Sequence, residues 1–438
     1  MLRYMQNWLH GREMRTIFRD STSKSRKIKN GSPQGSSLSP DLFSFHTSGI
    51  PEPDLPHHLV SYADDLTIYG TGPLEEITQK MNDYLAILFD YLDSIFLKIS
   101  PAKSSASLLT RETRQISRLK VPNQQELRIY IDGELIPTVL NPKILGVTLD
   151  PSLKFHQHVA DIDKRVRKNT NAMKMLAATS FGQSKETMVA TYKAIGRSLM
   201  DYAAPVWSPS VSASSWRKLQ AAQNGALRVA LGCHKAASVD HLHFESKMLK
   251  VDEHCRLLSV QYLSSCFEPG HPCEELSNGH VGPVRRSSQF QSLVQQHHQW
   301  VQRRLVFDPG GGGLVDVAKT RAQLHTICVN MSLQARGINR VLGAKPPRIH
   351  PSERILPRDD RCLLSQLRSG FSVHLRSFQH IINPNIPDIC PNCRVGPHDT
   401  RHVFDCRHRR TMLTVEDLWR RPLPASRFVI DLKKCVMA

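Results

Sequence analysis

Two adjacent carboxylates stand in the tetrapeptide Tyr62-Ala63-Asp64-Asp65, between the β-branched and aromatic runs Leu59-Val60-Ser61-Tyr62 and Leu66-Thr67-Ile68-Tyr69. A hairpin would place its turn there. Like charges that close resist joint ionisation, and a divalent cation removes the conflict. Two Mg²⁺ ions held by such aspartates clamp the attacking and leaving oxygens of a phosphoryl transfer. By itself the tetrapeptide fits a solvated Asp-Asp turn equally well. A second constellation is Cys390-Pro391-Asn392-Cys393 followed by His398, His402 and Cys406. Cys-x2-Cys with a later His and Cys supplies four N/S ligands for a tetrahedral structural Zn²⁺. His398 gives Cys-x2-Cys-x4-His, and His402 gives His-x3-Cys. The residues alone leave the choice open, and buried free thiols are the other possibility.

The elements that must carry these groups follow from pattern. Upstream of the aspartates runs Asn30-Gly31-Ser32-Pro33-Gln34-Gly35-Ser36-Ser37-Leu38-Ser39-Pro40. Gly31 and Gly35 permit close backbone approach and unusual dihedrals. Ser39 before Pro40 reads as an N-cap with proline in first helical position, so the loop should feed a helix. Such a loop can lie against a nucleotide or a template backbone, or be an ordinary turn. With a helical stretch over Leu74 to Phe96, residues 1–150 read as an α+β unit. From about 155 to 265 the pattern is helical. Val159, Ile162, Val166, Met173 and Leu176 mark one buried face, with Lys164, Arg165, Arg167, Lys168 and Lys174 between them. Breaker-rich stretches from 268 on to 283, at 308–313 and from 345 to 357 read as linkers within 266–358. A last module occupies 359–438.

Composition sets the outer limits. Lys and Arg number 58 against 39 Asp and Glu, a formal net charge of +19 with pI near 9.7. An excess spread along a folded chain attracts polyanions, so nucleic acid is the expected partner. The ten cysteines are scattered apart from the Cys390–Cys393 pair, which reads as reduced thiols and one metal site rather than a disulfide framework. Residues 1–6 carry no apolar leader core, and no stretch reaches the roughly 18 apolar residues a membrane span needs. A nuclear or cytoplasmic location and no membrane partner are expected.

Taken together, the glycine-rich loop and the aspartate turn resemble the polymerase palm of reverse transcriptases. The resemblance implies that Gly31, Pro33, Gln34, Gly35, Leu38, Ser39 and Pro40 form the motif that contacts template and incoming nucleotide. It makes Tyr62-Ala63-Asp64-Asp65 the catalytic turn, with Tyr62 and Ala63 beside the nucleotide and Asp64 and Asp65 on Mg²⁺. Leu97 to Ser104 is similar to the next motif, whose Lys103 would approach the nucleotide phosphates. Ile144 to Asp150 resembles the primer grip, and Trp8-Leu9-His10-Gly11-Arg12 a segment preceding the glycine-rich loop.

Downstream, Pro151-Ser152-Leu153-Lys154-Phe155, Tyr202-Ala203-Ala204-Pro205-Val206-Trp207 and Leu219 to Asn224 resemble the thumb region of non-LTR (LINE-type, jockey-like) retrotransposon enzymes. Residues 398–406 are similar to their C-terminal motif. That resemblance selects His402, with Cys390, Cys393 and Cys406, as the zinc ligands. The fold implied is α+β: a partial palm over 1–150, a helical thumb over 151–265, a helical connection over 266–358 and a zinc-finger-like module over 359–438.

The activity implied is RNA-directed DNA synthesis, with RNA template, DNA primer or target, and deoxynucleoside triphosphates as partners and Mg²⁺ and Zn²⁺ as cofactors. Protein partners are left unspecified. Family members carry a further aspartate on a strand before the glycine-rich loop, for which there is no room ahead of Met1-Leu2-Arg3. The chain as written is therefore expected to be N-terminally truncated and inactive in primer extension. A non-catalytic, zinc-containing nucleic-acid-binding protein is the alternative.

Overall fold

The computed structural model describes residues 2–28, 30–33, 35–54, 56–119, 127–178, 182–266, 273, 317–335 and 337–432. The chain forms two compact units, 1–152 and 153–438.

In the first unit, α1 (Leu2–Leu9) leads into four two-residue strands: β1 (Glu13–Met14), β2 (Ile17–Phe18), β3 (Ser21–Thr22) and β4 (Arg26–Lys27). β1 pairs with β4 and β2 with β3, all antiparallel. After α2 (Ser39–His46) come β5 (His57–Tyr62) and β6 (Asp65–Gly70), antiparallel with His57 opposite Gly70. α3 (Leu74–Ser94) buries Tyr84, Leu85, Leu88 and Leu92, steps of three and four that align them on one face. That face packs on Leu127, Ile129, Ile131 and Ile136, with Leu66 and Ile68 of β6 at its margin. Asn82 bolts the helix to this strand region: its Nδ2 donates to the Arg128 carbonyl at 2.9 Å, and its Oδ1 accepts from Tyr130 N at 2.9 Å. α4 (Thr113–Leu119) precedes two small antiparallel pairs, β7 (Tyr130–Ile131) with β8 (Glu134–Leu135), and β9 (Lys143–Ile144) with β10 (Val147–Thr148).

Two details depart from the sequence expectation. Ser39 is already helical, and the capping position belongs to Leu38. The Ser39 hydroxyl instead donates to the Pro33 carbonyl at 2.7 Å, a bond that folds the glycine-rich loop back onto the helix start. The helix ends at Ser94 and not at Phe96, which turns left-handed with φ of 61° and points into solvent.

The second unit is helical. α5 (His156–Leu176) packs on α9 (Ala213–Leu231), burying Val159, Ile162, Val166 and Met173 against Leu219, Ala222, Ala226 and Ala230. Leu176, expected on the same face, is 47% exposed at the last position of the helix. Between them lie α6 (Lys185–Tyr192), a π-helical turn over 193–197, α7 (Ser198–Asp201) and α8 (Ala204–Trp207). α10 (Val239–Ser246) and α11 (Val251–Ser265) follow. Ser184, Ser212 and Ser238 cap α6, α9 and α10 by accepting the backbone N–H three residues on. The linkers read at 268–283, Cys273 apart, and at 308–313 lie outside the described residues.

Beyond α12 (Val317–Ala335), a turn over Pro351–Ile355 leads to α13 (Arg358–Ser369), α14 (Arg376–Ile382), α15 (Thr400–Asp405), α16 (Asp417–Arg420) and α17 (Pro422–Val429). Their core is Leu363, Leu364, Leu367, Phe378, Phe404 and Trp419. A buried charge network crosses the unit. Lys185 bonds Glu245 and lies 3.4 Å from Glu353. Arg368 bonds both glutamates, and Arg361 reaches Glu186 at 2.5 Å. Buried ion pairs offer little net stability over apolar packing, but removing one partner strands the other. The network thereby fixes one arrangement of α6, α10, the 351–355 turn and α13.

Candidate functional site

Tyr62 pairs with Asp65 at the end of the β5–β6 ladder, which leaves Ala63 and Asp64 as a two-residue turn. Ala63 sits left-handed with φ of 52°, as the tight turn of a twisted hairpin demands. Leu66 and Ile68 pin the stem against the α3 core, and the His57 ring lies beneath Gly70, where a Cβ would come within 2.7 Å of it. The core thus holds the base of the hairpin and projects its apex. Tyr62, Ala63, Asp64 and Asp65 are all exposed. Among the described residues, neither carboxylate has a hydrogen-bond or ion-pair partner. Two unpaired hard oxygen donors on consecutive residues fit Mg²⁺, which takes one or two carboxylates and fills its remaining positions with water and phosphate.

The glycine-rich loop lies in the same unit. Gly31 and Gly35 have φ of +75° and +84°, and among the described residues no atom lies within 4 Å of where a Cβ would be. Glycine is required there by dihedral, not by crowding. Arg12 fastens the loop: its Nε donates to the Leu9 carbonyl at 3.0 Å and its Nη2 to the Gly31 carbonyl. Pro33 is half-buried, and Gln34 lies outside the described residues. Lys103 ends the short turn Pro101–Lys103 and is exposed. The segment read as a primer grip forms the β9–β10 hairpin, with Leu145 and Gly146 left-handed at its tip. Among the described residues, no hydrogen bond or ion pair joins the aspartates, Lys103 and the Gly31–Gly35 segment.

In the second unit, Cys390, Cys393, His402 and Cys406 offer ligand atoms that all lie within 4.8 Å of one another. Cys390 Sγ and Cys406 Sγ are 3.9 Å apart, and Cys393 Sγ lies 3.1 Å from His402 Nε2. Two thiolates about 2.3 Å from a tetrahedral Zn²⁺ would be about 3.8 Å apart, so the donor set and its spacing suit that ion.

His398 is not in this group. Its Nδ1 accepts the Arg376 N–H at 3.1 Å, its own N–H donates to Asp388 Oδ1 at 3.0 Å, and its ring centroid is 6.0 Å from that of His402. Burial, then the neighbouring His402, push its imidazole down to about 4, so it is neutral at physiological pH. Asp399 caps α15 by accepting from His402 N at 2.8 Å, and Thr400 Oγ1 donates to the Leu367 carbonyl at 3.0 Å. Sequence reading passed over both residues, although Asp-Thr before a helix is a capping signal. It also missed the Lys185–Glu245–Glu353–Arg368 network, whose members are scattered along the chain.

Residues 2–149 match the family profile described as reverse transcriptase (RNA-dependent DNA polymerase). The chain is similar to the probable RNA-directed DNA polymerase from transposon BS of Drosophila melanogaster, 24% identical over 310 residues, or 69% of this chain and 30% of that protein. It is similar also to the probable RNA-directed DNA polymerase from transposon X-element of the same species, at 25% over 59% of this chain and 28% of the relative. The RNA-directed DNA polymerase from mobile element jockey of Drosophila funebris matches at 23% over 60% and 28% respectively. The chain spans less than a third of the length of these relatives. The profile match spans the aspartate hairpin, and the curated proteins to which the chain is similar are RNA-directed DNA polymerases of transposons and mobile elements.

Proposed function

We propose that this chain supplies catalytic and nucleic-acid-binding parts of an RNA-directed DNA polymerase. The observation that carries the proposal is the β5–β6 hairpin, which presents Asp64 and Asp65 side by side, exposed and unpartnered, at a two-residue turn. When bound there, Mg²⁺ would lower the charge cost of a primer 3′-hydroxyl attacking the α-phosphate of a deoxynucleoside triphosphate. Asp64 and Asp65 hold the ions. Tyr62 and Ala63 border the nucleotide, and Gly31, Pro33, Gln34 and Gly35 border nucleotide and template. Lys103 steadies the departing pyrophosphate. In the second unit, the basic side chains Lys164, Arg165 and Lys168 hold the template–primer duplex through phosphate contacts, without reading sequence.

Cys390, Cys393, His402 and Cys406 hold Zn²⁺ as a structural ion, and the nearby arginines Arg394, Arg407 and Arg410 touch RNA or target DNA. Residues 1–150 act as palm, 151–265 as thumb, 266–358 as connection and 359–438 as zinc module.

The test is RNA-templated, DNA-primed incorporation of deoxynucleotides by a longer protein containing this chain. Asp64→Ala should abolish Mg²⁺-dependent synthesis, a loss on the order of a hundredfold or more. In parallel, Fe²⁺ substituted for Mg²⁺ should direct oxidative backbone cleavage near residues 62–66. Excess Mg²⁺ and the Asp64→Asn, Asp65→Asn double change should both suppress it. Synthesis that survives Asp64→Ala would end the proposal.

A further inference from the structure

The segment before the glycine-rich loop has a character of its own. Its four short strands form one two-stranded ribbon, closed at the base where Ile28 N donates to the Arg12 carbonyl at 2.9 Å. The outer pairs are Glu13 with Lys27 and Met14 with Arg26; the inner pairs are Ile17 with Thr22 and Phe18 with Ser21. Between them Arg15 faces two residues, Lys24 and Ser25, so the ribbon bulges and twists there. Every residue from Glu13 to Lys27 is exposed. A two-stranded ribbon with no buried side chain is marginal alone and gains its order from a partner.

The side chains say which kind. Arg15, Arg19, Lys24, Arg26 and Lys27 stand against only Glu13 and Asp20, and none of the five is ion-paired among the described residues. At the tip, Ile17 and Phe18 are 73% and 70% exposed, and the Arg19 guanidinium lies 5.4 Å from the Phe18 ring centre. Protein-binding surfaces deplete lysine and keep an apolar centre, whereas this ribbon is basic and hydroxylated along its length. Basic side chains around an exposed aromatic ring are the recognition set for single-stranded nucleic acid, with phosphates on the cations and an unpaired base on the ring. Arg12 links the ribbon's base to the Gly31 carbonyl, so a strand held on the ribbon is delivered to the glycine-rich loop.

We infer that residues 12–28 form a basic, aromatic-tipped arm that binds single-stranded RNA. The inference rests on the polymerase reading only in taking RNA as the strand bound.

The experiment uses the full chain and a labelled 30-nucleotide single-stranded RNA of mixed sequence, without nucleotide or Mg²⁺, followed by fluorescence anisotropy across a salt series. Because neither deoxynucleotide nor Mg²⁺ is present and no synthesis is read, failure of the polymerase reading leaves this measurement untouched. Replacing Arg15, Arg19 and Lys24 by Gln should weaken binding about tenfold or more at low salt and flatten the log–log salt slope by about 2. Phe18→Ala should cost about fivefold to a hundredfold, with little change in slope. Photo-crosslinking of a 4-thiouridine RNA should place the adduct on the 13–27 peptide, a readout that no folding defect supplies. Unchanged affinity and slope in the triple variant would overturn the inference. So would a loss confined to duplex RNA, or one that follows Lys164→Gln, Arg165→Gln and Lys168→Gln on α5 instead.

Discussion

Arg368 Nη1 meets Glu245 Oε1 at 3.0 Å with both side chains wholly out of solvent, and the same guanidinium also serves Glu353. Its Nε donates to the Leu418 carbonyl at 3.1 Å, so one side chain ties α13 to α10, to the 351–355 turn and to α16. Arg368→Ala would leave Glu245 facing Lys185, and Glu353 facing Lys185 at 3.4 Å and Arg361 at 3.7 Å. The expected cost is about 3–5 kcal/mol, read as a lowered urea midpoint for the second unit. Arg368→Lys keeps the charge but loses the fork, and should recover only part of that loss.

Acid should loosen the same region. His241 Nε2 lies 3.2 Å from Ser365 Oγ, and burial above all pushes its imidazole down to about 4. A folded value below the ordinary 6.5 means the unfolded chain takes the proton first. Stability is therefore full above about pH 6.5 and falls as pH drops from there toward 4, by on the order of 2–3 kcal/mol. Glu186, held near 2 by its hydrogen bond to Arg361, acts in the same direction at lower pH: its contribution is lost between the ordinary carboxylate value and about 2. Urea midpoints measured from pH 7.5 to 4.5 should decline, and His241→Gln should flatten the decline. A flat profile for the unchanged protein would contradict this account.

The two histidines near Cys393 are separable by metal content. Purified protein should carry about one Zn²⁺ per chain. Cys393→Ser and His402→Ala should lower that stoichiometry toward zero, whereas His398→Ala should retain the ion and lose thermal stability through its broken bonds to Arg376 and Asp388. Mass spectrometry of metals reads the first effect and calorimetry the second. Zinc retained in His402→Ala but lost in His398→Ala would reverse the assignment.

Two glycines of α9 and its end should respond oppositely to alanine. Gly232 closes the helix with φ of +68°, and a Cβ there would lie 2.2 Å from Cys362 Sγ. Gly232→Ala should cost about 2–4 kcal/mol, from dihedral strain and overlap together. Gly225 lies inside the helix with nothing among the described residues within 4 Å of its added carbon. Gly225→Ala should gain up to about 1 kcal/mol. Thermal unfolding of the pair compares them directly.

What the chain discloses before folding depends on whether the signal is local. The Asp64–Asp65 turn was legible because two alternating runs flank it, and a hairpin of that length has one place for its apex. Much of the buried face of α5 was legible from helical spacing, up to Leu176, where spacing carries no information about where the helix ends. The proximity of Cys390, Cys393, His402 and Cys406 could be expected from their clustering within seventeen residues. The Lys185–Glu245–Glu353–Arg368 network could not. Its members lie up to 183 positions apart, and a charged residue carries no local mark of burial. The exposed ribbon was hidden for the opposite reason: Ile17-Phe18 reads as core material, and only the fold shows that nothing among the described residues covers it.

The wrapping of α13 by elements from far upstream has a practical corollary for dissection of the polypeptide. Cys362 lies against Gly232, Gln366 donates to the Gly232 carbonyl at 2.9 Å, and Arg358 donates to the Gln183 carbonyl at 2.7 Å. An expression fragment begun at residue 358 would shed all three anchors and lay open the leucines they shield. It would keep its four metal ligands yet forfeit the platform beneath them. Recombinant pieces intended to report on the cysteine cluster should therefore begin ahead of α5, at the break after Ser152.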